Sequence, residues 1–340
     1  MNAVCVEMPD LLRISELIIT DHLALSEMVL TPNSRYQTRS LTGDALRHRV
    51  AERLAAGLRN RDPADLPTII YAWGKARVGS TALTNLFGLA GIPAYYQPVK
   101  AIVRQVLMGC DGPPWTLPSR RLHSHIFAKE TAGPYSVAEC LYMPLQALLD
   151  AGYPPNKLRL IMLDRDPTDS LASWLDKWSD RLPARRLEEH HILASLNAIR
   201  VEIQARRAGI PITHYVYEAS REPVQAARAL FQRLGLADRF ASAAVTDWQD
   251  RGNLDSTDCG IIYPNEPDVF DMPELHGTAT AYRFRNRSKC PPNPAQLALM
   301  ARFGLDALYR ASVESCAEEL GCIAPDQRPG PARLRRGSAA

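Results

Sequence analysis

The sequence lacks the features that mark membrane, secreted and nucleic-acid-binding proteins. No stretch approaches the roughly eighteen uninterrupted apolar residues that a membrane-spanning helix needs. Residues 1–19 carry three acidic side chains and no basic start, so no secretory signal is predicted. The seven cysteines include no CxxC pair, which favours a cytoplasmic protein with reduced thiols and no structural metal. A net charge of +3 is too small to predict general nucleic-acid binding.

The sequence does contain enough apolar residues for a large core. Hydrophobic residues make up 46% of the 340 residues, which suffices for one α/β core or two small ones. Strand-like and helix-like runs alternate over 68–236, as they do in a parallel sheet with helices on both faces. We therefore predict a helical N-terminal extension over 1–65, an α/β domain over 66–324 and a disordered basic tail over 325–340.

Several elements can be predicted one by one from periodicity and from Gly and Pro positions. The pattern predicts helices over 45–58, 137–149, 186–208 and 296–320, strands over 122–128 and 212–217, and loops over 109–121 and 252–294. Trp174 and Trp178 have helical spacing and are predicted to pack in the core. His190, His191 and His214 are predicted to lie at a wet surface.

The first candidate site follows an apolar run over 68–73 that reads as a buried strand. Gly79 allows a tight turn, and helical spacing begins shortly afterwards, so Ser80 and Thr81 open a helix. The unpaired N–H groups of such a helix start can bind an anion, and Arg77 adds a cation beside them. This is not a Walker loop, because no Lys follows Gly79.

The second candidate site has the same strand, turn and helix order after the apolar run 158–162. Asp166 is placed to cap a helix, and Pro167 suits the first helical position. Arg165 precedes the cap, and Ser173 follows Arg165 by eight residues, two turns into the helix. Two sites of this kind in one fold predict a ligand with two separate anionic groups.

These stretches resemble the two cofactor motifs of sulfotransferases that use 3′-phosphoadenosine 5′-phosphosulfate (PAPS). Residues 77–81 match the family's five-residue pattern [KR]-x-G-[ST]-T, in which brackets enclose alternatives and x is any residue. Residues 165–173 match its Arg-to-Ser motif in spacing, and 215–236 is similar to a third, Tyr-Glu-containing segment. The ordered motifs span 68–236, about half of the chain. The resemblance implies a P-loop-like α/β fold.

The resemblance also implies roles for individual residues. The first turn would hold the 5′-phosphosulfate, with Arg77 next to the departing phosphate. Arg165 and Ser173 would hold the 3′-phosphate. Tyr217 would approach the nucleotide, and Arg285 belongs to a stretch that approximates the family's basic loop. The implied residues of the first turn are Arg77, Val78, Gly79, Ser80, Thr81 and Ala82. No metal is expected, since the leaving group is already a good one.

The match to this family has two gaps that bear on the site. Many relatives carry an aromatic residue for adenine stacking where this chain has Ala82, so Phe284 or Tyr282 is the candidate instead. Several branches place a catalytic Glu where this chain has Gln97, which cannot accept a proton as a base. This substitution leaves room for an amine acceptor as well as a hydroxyl.

Candidates for the general base lie in the segment 123–131. Lys129 aligns with a Lys that ends a strand in relatives. His125 has a suitable unperturbed pKa, and alternation along a strand would put it on the same face as Lys129. Glu130 is the second candidate for the base.

Three classes of function stay open at the level of the sequence. The favoured class is sulfuryl transfer to a small-molecule, glycolipid or peptide natural-product acceptor. A P-loop phosphotransferase would need a Lys at the end of the loop and a magnesium-binding Asp. A non-catalytic module that binds the product nucleotide, 3′-phosphoadenosine 5′-phosphate (PAP), would bind without transfer. The acceptor and the oligomeric state cannot be read from the residues.

Overall fold

The computed structural model describes residues 14–18, 20, 24–25, 41–110, 112–248, 261–262, 281–285 and 291–321. Two short strands, β1 (Ala24–Leu25) and β2 (Leu41–Thr42), pair in antiparallel fashion. The main sheet contains β3 (Thr68–Lys75), β4 (Ala94–Tyr96), β5 (His125–Ala132), β6 (Leu158–Asp164), β7 (Ile212–Val216) and β8 (Ile261–Ile262). Its spatial order is β7-β6-β3-β5-β4-β8, and every pairing in it is parallel.

Helices follow the strands along the chain. They are α1 (Gly43–Leu58), α2 (Ser80–Leu89), α3 (Pro98–Met108), α4 (Val137–Leu141), α5 (Pro144–Asp150), α6 (Pro167–Trp178), α7 (Ala184–Arg207), α8 (Pro223–Arg233), α9 (Ala243–Thr246), α10 (Pro294–Arg302) and α11 (Leu305–Leu320). In the described part of the chain, no helix is both long and apolar enough to cross a bilayer.

The sheet separates two hydrophobic cores, because side chains alternate between its faces. Tyr71 and Trp73 of β3 pack into one core with residues of α1, α3, α6 and α7. Ile70 and Ala72 face the other core with residues of α2, α8 and α11. Both faces of β3 are fully buried, as is typical of a central strand in a parallel sheet. The predicted α/β class, with a P-loop-like parallel sheet flanked by helices on both faces, is confirmed.

The described part of the N-terminal segment packs against the main core. Thr42 caps α1 by accepting a hydrogen bond from the N–H of Ala45 at 3.2 Å. The buried face of α1, which includes Val50 and Leu54, joins the core that contains α3 and α5. Residues 14–18 are also helical, whereas the β1–β2 pair was not predicted. The predicted tail over 325–340 and most of the predicted loop over 252–294 lie outside the described residues.

Other differences from the predicted elements have local causes. Pro144 starts a new helix where one helix over 137–149 was predicted, because proline has no N–H to continue the first. Gly304 separates α10 from α11 for another reason, because its left-handed conformation, at φ 67°, interrupts the helical run. The strand predicted over 122–128 begins at His125 and runs to Ala132. The helix α3 was not predicted.

The prediction for the two tryptophans is confirmed, whereas the prediction that the histidines lie at a wet surface is wrong. Trp174 is fully buried in the core next to Trp178, which confirms the packing role. The histidines are not at a wet surface: His190 and His191 are buried. His214 lies 2.9 Å from a carboxylate oxygen of Glu319, and its acidic neighbours raise its pKa to about 9 against the effect of burial.

Candidate anion-binding cleft

The first turn connects β3 to α2 at the carboxyl edge of the sheet. The N–H of Ala76 donates to the carbonyl of Ala132 at 3.0 Å, which holds the start of the turn against β5. Arg77 and Gly79 both have left-handed backbone angles, φ 70° and 78°. A Cβ at position 79 would overlap the ring of Tyr217, so this contact requires glycine. The turn therefore brings its backbone directly against an aromatic ring.

The start of α2 presents donors toward this turn. The first helical hydrogen bond runs from the N–H of Leu83 to the carbonyl of Gly79 at 3.2 Å. The N–H groups of Ser80, Thr81 and Ala82 precede that bond, and no side chain caps the helix. Oriented amides of this kind form an anion-binding site at the positive end of the helix dipole.

The second turn connects β6 to α6 in the predicted manner. The carboxylate of Asp166 accepts hydrogen bonds from the N–H groups of Thr168 at 2.9 Å and Asp169 at 3.1 Å. Pro167 occupies the first helical position. These contacts fix the backbone directly after Arg165, a residue that is 5% exposed.

The two turns meet in one cleft, which is the central geometric observation. The Nη1 group of Arg165 donates to the carbonyl oxygen of Arg77 at 3.1 Å. The Nε group of Arg77 donates to the hydroxyl of Ser173 at 2.9 Å. The predicted residues of both turns are thus within hydrogen-bonding distance of one another, although they are separated by 88 and 96 positions in the sequence.

The cleft carries positive charge that the described part of the protein does not balance. Neither Arg77 nor Arg165 forms an ion pair with a carboxylate in the described ranges, and the buried Nε of Arg165 has no hydrogen-bond partner there. Burial, followed by the nearby charge of Arg165, lowers the pKa of Arg77. As a whole residue Arg77 is exposed, whereas Arg165 is buried. Two guanidinium groups held close together repel each other, so an anion between them would relieve that repulsion and the desolvation of Arg165.

An aromatic wall borders the cleft. The guanidinium carbon of Arg165 lies 5.1 Å from the ring centroid of Tyr217, and the Tyr217 hydroxyl accepts a hydrogen bond from the N–H of Arg285 at 2.9 Å. The ring of Phe284 lies 5.0 Å from that of Tyr217. Tyr282 is buried, and its hydroxyl is hydrogen-bonded to that of Tyr215, so its ring cannot stack on a ligand. Phe284 is therefore the candidate for adenine stacking.

The prediction of His125 as the base is wrong. In the parallel register of β3 and β5, His125 lies beside Thr68, whereas the cleft lies beyond Lys75 and Ala132. Seven residues of strand separate the two ends, a distance of about 23 Å. The alternation of side chains along β5 does put His125 on the same face as Lys129. It does not show which end of the strand is close to the cleft. His125 lies at the opposite edge of the sheet.

Glu130 also has a role other than the predicted one. Its side chain is fully buried on the face of the sheet opposite Lys129. Its oxygens accept from the N–H groups of Val99 at 2.6 Å and Lys100 at 3.2 Å, and from the hydroxyl of Tyr142 at 2.8 Å. Glu130 therefore caps the start of α3 from inside the protein, which explains its presence without any catalytic role.

This buried cap predicts a specific pH dependence of stability. Desolvation raises the pKa of Glu130 from 4.5 to about 7. Because the raised pKa favours the protonated folded form, its contribution is fully present below pH 4.5 and is lost as the pH rises through about 7. We expect the wild type to lose about 3 kcal/mol of unfolding free energy relative to Glu130→Gln over this interval.

Urea unfolding at pH values across that interval measures this difference. Glu52→Gln, at a carboxylate whose side chain is 65% exposed, is the control and should track the wild type. Parallel curves for the wild type and Glu130→Gln would show that the capping carboxylate has an ordinary pKa.

Lys129 is the remaining predicted candidate for the base. It faces the same core as α2, since Phe127, two residues earlier, packs there. Its Nζ lies 3.9 Å from the ring centroid of Tyr96, its register partner on β4. Tyr96 is among the titratable groups that influence the pKa of Arg77, so this tyrosine is near the first turn. Sequence reasoning missed Tyr96, because the segment 95–100 drew attention only for its missing Glu.

The chemical nature of the cleft is that of an anion site built from arginines, hydroxyls and helix-start amides. Within the described ranges, no group of three or more His, Cys, Asp and Glu side chains is arranged to hold a metal ion. Comparisons with protein-family models, curated proteins and solved structures find no match to this chain.

Proposed function

We propose that the protein is a cytoplasmic PAPS-dependent sulfotransferase that acts on a hydroxyl or amine of a small-molecule, glycolipid or peptide natural-product acceptor. The observation that carries this proposal is the direct contact between the Arg77 turn and the Arg165 turn. A nucleotide with one anionic group at each end of its ribose needs two cationic sites a short distance apart on one edge of the sheet.

Each group in the cleft has a part to play in binding the donor. The amides at the start of α2, together with the hydroxyls of Ser80 and Thr81, suit the 5′-phosphate. Arg165, with its open Nε, and Ser173 suit the 3′-phosphate. Phe284 offers an aromatic face for the base.

The transfer itself needs positioning and charge stabilisation more than it needs a covalent enzyme intermediate. The bond between sulfur and the bridging oxygen of PAPS breaks, a bond from sulfur to the acceptor oxygen or nitrogen forms, the acceptor loses a proton, and PAP leaves. Negative charge grows on the bridging oxygen, so the guanidinium of Arg77 is the group that stabilises it.

The phosphotransferase alternative has less support. A magnesium ion would need an open carboxylate at the end of β6, and Asp164 occupies that position. Its side chain is already engaged, with Lys75 on one oxygen and the hydroxyl of Ser312 on the other at 2.9 Å. No Lys follows Gly79 to hold a terminal phosphate.

Formation of PAP from PAPS tests the proposal. The full chain, incubated with PAPS, EDTA and pooled hydroxyl and amine metabolites, should release PAP at a rate that depends on both protein and acceptor. The same protein with ATP and magnesium should release no ADP. ADP formation would support the kinase alternative, and PAP binding without PAPS consumption would support a non-catalytic module.

A further inference from the structure

A second cavity lies on the other side of the turn-bearing strands. Its walls come from the ends of β3 and β6 and from α7, β7 and α11, and its volume is about 190 Å³. We call it the α7–α11 cavity. A single water needs only about 10–15 Å³ by the same measure, so this space fits a small organic molecule. Arg77, Ser80, Thr81, Arg165 and Ser173 of the proposed nucleotide cleft do not line it, although Pro167 of the second turn does.

The charged groups of this cavity balance one another. Lys75 pairs with Asp164. His214 lies between two carboxylates, 2.9 Å from Glu319 and 3.5 Å from Glu202. Glu202 also pairs with Arg206 at 2.6 Å, outside the cavity. Three positive and three negative charges are therefore matched, and the cavity has no net charge that calls for a counter-ion.

Several polar groups that line the cavity have hydrogen-bonding capacity that the described residues do not use. Lys75 is 5% exposed, and its ammonium has three N–H donors but one hydrogen-bond acceptor, Asp164, in the described chain. The hydroxyl of Ser315 has no hydrogen bond within the described ranges. Ser195 donates to the carbonyl of His191 at 2.8 Å and keeps its lone pairs open. Leucine side chains of α11, Leu305 and Leu308, form an apolar wall beside these groups.

The geometry points to a binding site for an uncharged, hydroxyl-bearing small molecule of about the size of one sugar ring or cyclic polyol. Hydroxyl groups both donate and accept, so they can satisfy the ammonium of Lys75 and the serine hydroxyls together. The ring's carbon face suits the leucine wall. A phosphate or a carboxylate would place a second negative charge beside Asp164, and an added ammonium would meet Lys75 and His214. The site does not depend on the proposed sulfuryl transfer.

Binding of simple polyols to the full chain tests this inference. In saturation-transfer difference NMR, we expect saturable binding of D-glucose or myo-inositol. Glucose 6-phosphate and glucosamine should bind at least about tenfold more weakly, because each adds an unmatched charge. Saturating PAP should leave the polyol signal in place, since none of the side chains proposed to contact the two phosphates lines the cavity.

Variants locate the site. Ala311 is exposed at the mouth of the cavity, and Ala311→Phe should abolish the signal by filling the opening. Ser315→Ala should weaken binding about two- to tenfold, the effect of one lost hydrogen bond. Ala301→Phe, at an exposed alanine of α10, is the matched control and should bind like the wild type. The inference is overturned if neither polyol binds saturably, if the charged analogues bind as tightly, or if Ala311→Phe binds normally.

Discussion

Replacing Arg165 with alanine should weaken PAP binding by about 2–4 kcal/mol, the usual effect of truncating a buried, charge-assisted contact. Arg165 is 5% exposed, and its Nε has no hydrogen-bond partner in the described chain. The side chain is held in place by the carbonyl of Arg77 and by the ring of Tyr217. A 3′-phosphate would supply the missing acceptor, so its loss should be costly.

Isothermal titration calorimetry of PAP and of AMP, which lacks the 3′-phosphate, measures this effect. The Arg165→Ala variant should lose most of the wild-type preference for PAP over AMP, while its affinity for AMP changes little. Arg186→Ala removes an arginine whose side chain is 44% exposed and serves as the matched control. An unchanged affinity of Arg165→Ala for PAP would exclude the assigned role.

The second large effect is expected for Arg77→Ala, which should lower kcat by about 10²–10³-fold. The charge that Arg77 stabilises appears only as the sulfur–oxygen bond breaks, so the loss belongs to the transfer step and not to binding. PAP affinity should fall by less than about tenfold, since the amides of α2 still hold the 5′-phosphate. Arg77→Lys should recover part of the rate because it keeps the charge.

Single-turnover rates with PAPS, measured beside calorimetric affinities for PAP, separate these two quantities. Arg77 also donates a hydrogen bond to Ser173. The variant Ser173→Ala removes this hydrogen bond but keeps the guanidinium, so it serves as a comparison for Arg77→Ala. If the whole loss in Arg77→Ala were one of affinity, with kcat unchanged, Arg77 would be a binding residue only.

The strand, turn and helix units at the two turns could be predicted from the sequence because their signals are local. An apolar run, a glycine turn and a helical period predicted β3 and α2, and the Asp166–Pro167 cap predicted α6. That the two turns share one cleft was implied by their resemblance to the two cofactor motifs of PAPS-dependent sulfotransferases. The motif spacing therefore placed Arg77, Arg165 and Ser173 in one cleft.

The general base could not be predicted in this way, because its position depends on strand register. Alternation grouped His125 with Lys129 on one face, but only the pairing of His125 with Thr68 shows that it lies at the far edge. Glu130 follows Lys129 directly, so alternation alone indicated the opposite face, where it caps α3. The partners of Glu130 at α3 are backbone N–H groups, and a sequence pattern does not show which backbone groups a side chain will contact.

The α7–α11 cavity was also beyond prediction from the sequence. Its walls come from six elements between Lys75 and Ser315, and the space between them depends on how these elements pack. His214 was predicted to lie at a wet surface, together with His190 and His191. Its ion pair with Glu319 is contributed by a helix 105 positions away.

The central claim is that one nucleotide is bound at both ends by the two turns that meet at Arg77 and Ser173. A crystal structure of the protein soaked with PAP tests it most directly. The account predicts the 5′-phosphate at the amides of residues 80–82 and the 3′-phosphate in contact with Arg165. Density for PAP at any other place, or with either phosphate turned to solvent, would contradict the account.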